Sequence, residues 1–112
     1  MDTTPTGVVE AAFRHYRSQD RDAALPLYAD EFTFTSPQDD HIGKAAFFER
    51  CFPTADRFRE QRLLHVTAVD EELVFVHYEY EPATGGRYRN MEAITVRGGQ
   101  IREVQVFFGG RV

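Results

Sequence analysis

The second half of this chain is a run of alternating segments cut by turn residues at short intervals, and that punctuation constrains the fold more than anything else in the sequence. Residues 62–70, 73–81, 88–96 and 101–108 read as four strands, separated by Asp70-Glu71-Glu72, Thr84-Gly85-Gly86 and Gly98-Gly99. Connections this short join antiparallel neighbours, because a parallel crossover needs a dozen residues or more. The first half has a different period. Behind Thr4-Pro5-Thr6, whose hydroxyls can cap a helix, Val9, Ala12, Phe13 and Tyr16 fall on one helical face and predict a helix over residues 6–18. Asp20 can cap a second, shorter helix carrying Ala24, Leu27 and Tyr28 and distorted by Pro26. Glu31-Phe32-Thr33-Phe34-Thr35 alternates as a strand closed by Ser36-Pro37, residues 44–52 read as a third helix stopped by Pro53, and residues 54–61 fit neither pattern. Helices followed by a meander of strands define an α+β domain, with about three helices packed on a curved antiparallel sheet.

A chain of 112 residues is expected to form one domain around one core. Hydrophobic residues at 42% and charged residues at 28% argue against disorder. Ten Phe and five Tyr without Trp predict a core, or a pocket, built from aromatic rings. The net charge of -5 is spread along the chain with no basic block to neutralise phosphates, so nucleic acid is not an expected partner. No apolar run is long enough to span a membrane, and residues 1–7 have neither part of a signal peptide, which predicts a cytoplasmic protein. The single Cys51 allows no internal disulfide and no paired-cysteine metal site, consistent with a reducing compartment.

Hairpin arithmetic assigns the faces of the sheet. A two-residue turn at Gly98-Gly99 pairs Val96 with Ile101, Ile94 with Glu103, Ala93 with Val104 and Met91 with Val106. One face then carries Met91, Ala93, Val104, Val106 and Phe108, to which a turn at Gly85-Gly86 adds Val74, Val76, Tyr78 and Tyr80. This apolar face is expected under the helices. The other carries Phe75, His77, Glu79, Asn90, Glu92, Ile94, Glu103, Gln105 and Phe107, and is expected to meet water or a second subunit. A two-residue loop at Asp70-Glu71-Glu72 puts Leu63, His65, Thr67 and Val69 under the helices, whereas a three-residue loop reverses them; with the first, His65 lies beside Tyr78 inside the domain. An imidazole beside a phenol can shuttle protons near neutral pH, which makes His65 and Tyr78 the candidate catalytic pair.

The order of elements, the segment Leu27-Tyr28-Ala29-Asp30-Glu31-Phe32-Thr33-Phe34 before Ser36-Pro37, and Gly98-Gly99-Gln100-Ile101 ahead of a last aromatic strand together resemble the SnoaL-like branch of the nuclear transport factor 2-like superfamily, over nearly the whole chain. The resemblance implies a cystatin-like cone with an apolar pocket between helices and concave sheet, and dimerisation through the outer sheet face. The family spans isomerases, cyclases, hydrolases, dehydratases and proteins without catalysis, so it implies little about the reaction. The pocket so implied is lined by Phe13, Tyr16, Tyr28, Phe34, Ser36, Phe47, Tyr80, Met91 and Phe108, takes a small, mostly apolar molecule, and holds no metal or cofactor. Aligned with ketosteroid isomerase, the general base falls on Ser36, the oxyanion-hole Tyr near Ala12 or Phe13, and the protonated oxyanion-hole Asp on or near Met91; none keeps the required group, so that activity is not expected. SnoaL-type cyclases require only one acid/base group in an apolar pocket, which His65, Asp39, Asp40 or His41 can supply here. The Arg, Asn and Asp network of limonene epoxide hydrolase is matched only by Arg89 and Asn90, whose adjacency on a strand sends them to opposite faces.

Each candidate has a plainer reading. His65 can be a core or edge histidine satisfied by a carbonyl, and Tyr16, Tyr28, Tyr78 and Tyr80 can be core aromatics whose hydroxyls reach a partner. Asp39-Asp40-His41 reads as a solvated loop, Cys51 as an inert thiol, and His77, Glu79, Glu92 and Glu103 as a dimer interface or wet sheet surface. The paired glycines sit between strands and are turns, not a phosphate cradle. Two functions remain open, a catalyst of cofactor-independent proton transfer and a non-enzymatic binding or interaction module. The first requires a titratable side chain inside the cavity.

Overall fold

The computed structural model describes residues 2–112. Thr4 caps α1 (Pro5–Ser18) by accepting the Gly7 N–H at 3.2 Å, and Gln19, left-handed at φ 57°, ends it. Asp20 caps α2 (Arg21–Ala24), and Pro26 tightens the following turn, Leu25–Leu27, into a 3₁₀ helix. Then come β1 (Tyr28–Thr35), β2 (Ile42–Gly43) and α3 (Lys44–Arg50). The ambiguous residues 54–61 divide between a 3₁₀ segment, Phe52–Arg57, and the start of β3 (Phe58–Ala68). The meander closes with β4 (Leu73–Pro82), β5 (Tyr88–Arg97) and β6 (Gln100–Arg111). The sheet order is β2-β1-β6-β5-β4-β3, antiparallel except where β1 lies parallel to β6.

The helices pack on one face of this curved, unclosed sheet. Val8, Val9 and Ala12 of α1 meet Val74, Val76, Ile94, Val96 and Ile101 of the meander. Beside them Tyr28, Phe32, Phe47 and Phe48 form an aromatic cluster with ring centroids 4.9–5.4 Å apart. Edge-on pairs of this kind add about 0.5–1.5 kcal/mol each beyond the area they bury. No helix among the described residues is long and apolar enough to cross a membrane.

Three registers differ from those expected, and together they decide the site; the connection around Gly85-Gly86 is longer than a two-residue turn, so Tyr80 pairs with Tyr88 and Tyr78 with Asn90 where that turn would have set them against Met91 and Ala93. The Asp70-Glu71-Glu72 connection is a three-residue loop: the Val69 N–H bonds the Leu73 carbonyl at 2.8 Å, and the Asp70 carboxylate accepts the N–H groups of Glu72 and Leu73, both at 2.8 Å. The side chain thereby builds a turn that leaves Val66 opposite Val76 on the inner face and His65 opposite His77 on the outer one. A bulge at Leu64 then restores Leu63 to the inner face, opposite Tyr78. At Gly98-Gly99, where both residues adopt the positive φ that a tight hairpin requires, Val96 pairs with Ile101 as expected. Arg102 is then an extra residue in β6, its guanidinium reaching Glu31 on β1, so that Ile94 pairs with Val104, Glu92 with Val106 and Asn90 with Phe108. Strand β5 is therefore turned over relative to expectation. Asn90, Glu92 and Ile94 face the helices, and Met91 and Ala93 face outward.

Candidate functional site

Between α1, α3, the 3₁₀ segment and the concave sheet lies a cavity of about 640 Å³. Phe13 and Tyr16 come from α1, Tyr28, Phe34 and Ser36 from β1 and its exit, Phe47 from α3, and Tyr80 and Phe108 from the meander; all eight line it. Met91 does not, because the bulge at Arg102 turns it to the outer face, where it is 38% exposed. His65 is also excluded. Its Nδ1 lies 3.3 Å from that of His77, and the two imidazoles are parallel within 2° on the outer face.

In place of His65, the cavity holds a carboxyl expected on the outer face, that of Glu92. Tyr78 donates its hydroxyl proton to Glu92 Oε2 at 2.6 Å, and Asn90 Nδ2 donates to the Tyr78 oxygen at 3.1 Å. All three residues line the cavity, brought into one cluster by the pairing of β4 and β5 that sets Tyr78 opposite Asn90 and Val76 opposite Glu92. Among the described residues no cation lies within ion-pair distance of Glu92. Burial raises its pKa from 4.5 to about 7, the Tyr78 hydrogen bond offsetting part of the effect. Burial and the Glu92 charge push the Tyr78 and Tyr28 phenols far above their ordinary value, so both stay protonated at neutral pH. Tyr28 differs from Tyr78 in that no hydrogen bond engages its hydroxyl among the described residues.

Several other polar groups around the cavity are engaged with one another or with the backbone. Thr54 donates to the Cys51 carbonyl at 2.6 Å, which leaves its oxygen to accept the Tyr16 hydroxyl at 2.8 Å. Burial and the nearby Asp39 raise the Cys51 thiol to about 11, so it is not a thiolate at neutral pH. Ser36 Oγ accepts the N–H groups of Gln38 and Asp39, each at 3.2 Å, and shapes the turn. Of the loop candidates, Asp39 lines the cavity, where it faces Arg50 at 3.5 Å, whereas Asp40 and His41 lie outside it and bond each other at 2.6 Å. No three His, Cys, Asp or Glu side chains converge on a possible metal position among the described residues. Arg89 and Asn90 point to opposite faces: Arg89 bonds the Gly109 carbonyl at 3.0 Å outside the cavity.

The sequence model of the SnoaL-like domain family matches residues 9–104. No curated protein matches significantly. Among solved structures, a protein from Kribbella flavida superposes with a TM-score of 0.83 at 20% identity, over 96% of this chain and 88% of its own. A Xanthomonas campestris protein assigned provisionally as a polyketide cyclase is 26% identical, with a TM-score of 0.73 over 96% of this chain and 93% of its own. An epoxide hydrolase of Mycobacterium tuberculosis resembling limonene epoxide hydrolase gives a TM-score of 0.76 at 15% identity, over 95% and 83% of the two chains. These likenesses concern the architecture, and a cavity of the same kind can serve different reactions.

Proposed function

The chain belongs to the SnoaL-like domain family, and from that premise we propose that it is a cofactor-independent acid/base catalyst acting on a small, mostly apolar molecule, with Glu92 as the group that moves the proton. One observation carries the reading: a carboxyl with no cationic partner stands in the cavity with its pKa raised to about 7. A base whose pKa lies near the working pH combines a substantial ionised fraction with a strong drive to accept a proton.

Glu92 takes a proton from carbon adjacent to a substrate carbonyl and returns it elsewhere on the carbanion's conjugated system. The negative charge that develops on the carbonyl oxygen needs a donor, and the Tyr28 hydroxyl on the same cavity wall is protonated and unengaged. Tyr78 acts on Glu92 rather than on substrate, since its only proton is held in the 2.6 Å bond to the carboxylate. Steroid double-bond isomerisation by the ketosteroid isomerase route is not part of this proposal. Ser36 still provides no base, although the carboxyl missing at Met91 is present one residue on, at Glu92.

The test is exchange of α-protons into D₂O, followed by proton NMR, for cyclic aryl ketones such as 1-tetralone. The wild-type protein should accelerate exchange, with a rate that rises through pH 7 as Glu92 ionises, and Glu92→Gln should abolish it. Ligand binding without exchange by the wild-type protein, across carbonyl compounds of this size, would leave the binding-module reading in its place.

A second proposal concerns the outer sheet face. Phe75, Met91 and Phe107 are 40%, 38% and 56% exposed there, which supports a homodimer formed through this surface.

A further inference from the structure

The hydrogen bonds around Glu92 run in one direction and leave one group over. Tyr78 gives its proton to Glu92, so toward Asn90 it offers only a lone pair, and the Asn90 amide must present its NH₂ to that lone pair. The other half of the amide, Asn90 Oδ1, is buried and has no hydrogen-bond partner among the described residues. The alternative amide orientation would bring Oδ1 against the Tyr78 oxygen, two acceptors with no proton between them. The Tyr78 proton and one of the two Asn90 N–H groups are thus consumed internally, which leaves the cluster a second Asn90 N–H and two acceptors, Asn90 Oδ1 and the ionised Glu92 carboxylate, of which Oδ1 is the buried atom without a partner.

From this we infer that the natural substrate is a hydroxy-carbonyl compound, or its N–H analogue, whose donor group sits beside the carbon that Glu92 deprotonates and is received by Asn90 Oδ1. The inference rests on the acid/base reading for the identity of that carbon, and on the orphaned acceptor for the donor. A substrate whose only polar groups are ketone, ether or epoxide oxygens would leave Asn90 Oδ1 unpaired and set its own lone pairs against it. A site of this kind discriminates, because only a ligand that carries the donor relieves the orphaned acceptor and the analogue lacking it leaves that acceptor unpaired. Asn90 is then a specificity residue, and Tyr78 positions it.

Three probes of one shape separate the possibilities: 2-hydroxy-1-tetralone, its 2-methoxy ether and 1-tetralone, titrated at pH 8 into the intact protein by NMR or calorimetry. The wild-type protein should bind the hydroxy ketone at least about tenfold more tightly than either of the others. Asn90→Leu, which matches the shape and removes the acceptor, should bring all three within about twofold of one another. Equal affinities for the wild-type protein, or a hydroxyl preference that survives Asn90→Leu, would overturn the inference. Deuterium exchange measured on the same samples keeps the two proposals apart. Exchange without a hydroxyl preference refutes the role of Asn90 and leaves Glu92 standing, whereas a preference abolished by Asn90→Leu without exchange does the reverse.

Discussion

Glu92→Gln should stabilise the protein while removing the proposed proton-transfer activity, and the pH at which it does so is determined by the cavity. In the unfolded chain a Glu titrates at its ordinary 4.5, and in the folded cavity at about 7. Between those values the native state binds more protons than the unfolded state, so this group's contribution to stability falls as pH rises from 4.5 to 7 and is level above. The span between the two values corresponds to about 3 kcal/mol, at 1.36 kcal/mol per pH unit. Glutamine keeps the shape and an oxygen to accept the Tyr78 proton, but it adds an amide N–H₂ to the cavity, which costs about 1 kcal/mol of polar burial. A net gain of about 2–3 kcal/mol is expected at pH 8, a rise in Tm on the order of 10 °C for a domain of this size. Below about pH 4.5, where Glu92 is protonated in both states, the gain should give way to a deficit of about 1 kcal/mol, the cost of the added amide N–H₂. Urea or thermal unfolding of both proteins across pH 4–8 reads the difference directly, and titrations shared by the two chains cancel. Equal or lower stability of the variant at pH 8, or a difference that does not vary with pH, would refute the placement of an ionised Glu92 in a desolvating cavity.

Tyr78→Phe removes the hydrogen bond that holds the Glu92 pKa down, so the rise of exchange rate with pH should move above 7 and Asn90 should lose its anchor; the pH–rate profile measures both. His65→Ala should change exchange rates less than twofold and stability by no more than about 0.5 kcal/mol, because the side chain lies on the outer face; a large loss of turnover with the fold intact would reinstate it as a catalytic residue. If the outer sheet face joins two copies, Met91→Lys combined with Phe107→Lys should give a folded monomer by native mass spectrometry where the wild-type protein is a dimer, and a wild-type monomer would remove the interface altogether.

The architecture was legible because its signals are local. The 3.6-residue spacing of Val9, Ala12, Phe13 and Tyr16, the caps at Thr4 and Asp20, and the glycine pairs between strands each act within a few residues, and the helices and meander follow from them. Phe13, Tyr16, Phe34 and Phe47, which the family resemblance implies as pocket residues, sit on the elements their local spacing predicts and line the cavity, whereas Tyr28, expected in the second helix, lines it as the first residue of β1. What faced which way along β3 and β5 was not local. It hung on one residue in the Asp70 loop, on the length of the connection around Gly85-Gly86 and on one extra residue at Arg102, and a single-residue slip carries every side chain of a strand to the other face. A clue was present in β5 itself. Ile94 and Val96, its large β-branched apolar residues, share parity with Glu92 and Asn90, while the outward parity carries Met91, Ala93 and Thr95. Giving that pattern more weight than the turn arithmetic would have turned the strand over and required a bulge in β6 to keep Val104 and Val106 inside.

That bulge also bears on why Glu92 reads as a functional group rather than as a carboxylate the fold happened to trap. Elsewhere this chain puts its acidic side chains where water or arginine can serve them: Glu72 meets Arg97, Glu60 and Glu79 meet Arg87, and Glu81 meets Arg59 near the surface. A carboxylate serving only structure gains most from such a partner, and a carboxyl inside a cavity without one lowers stability at neutral pH. Glu92 has instead a single phenol, which holds the side chain in place and lowers its pKa only part of the way back toward 4.5. Stronger hydrogen bonding or a nearby arginine would stabilise the fold and weaken the base; no hydrogen bond at all would leave it protonated well above neutral pH. The arrangement retained here costs stability and leaves the carboxyl half-ionised near pH 7, the compromise that a proton-transfer group requires and a structural one does not.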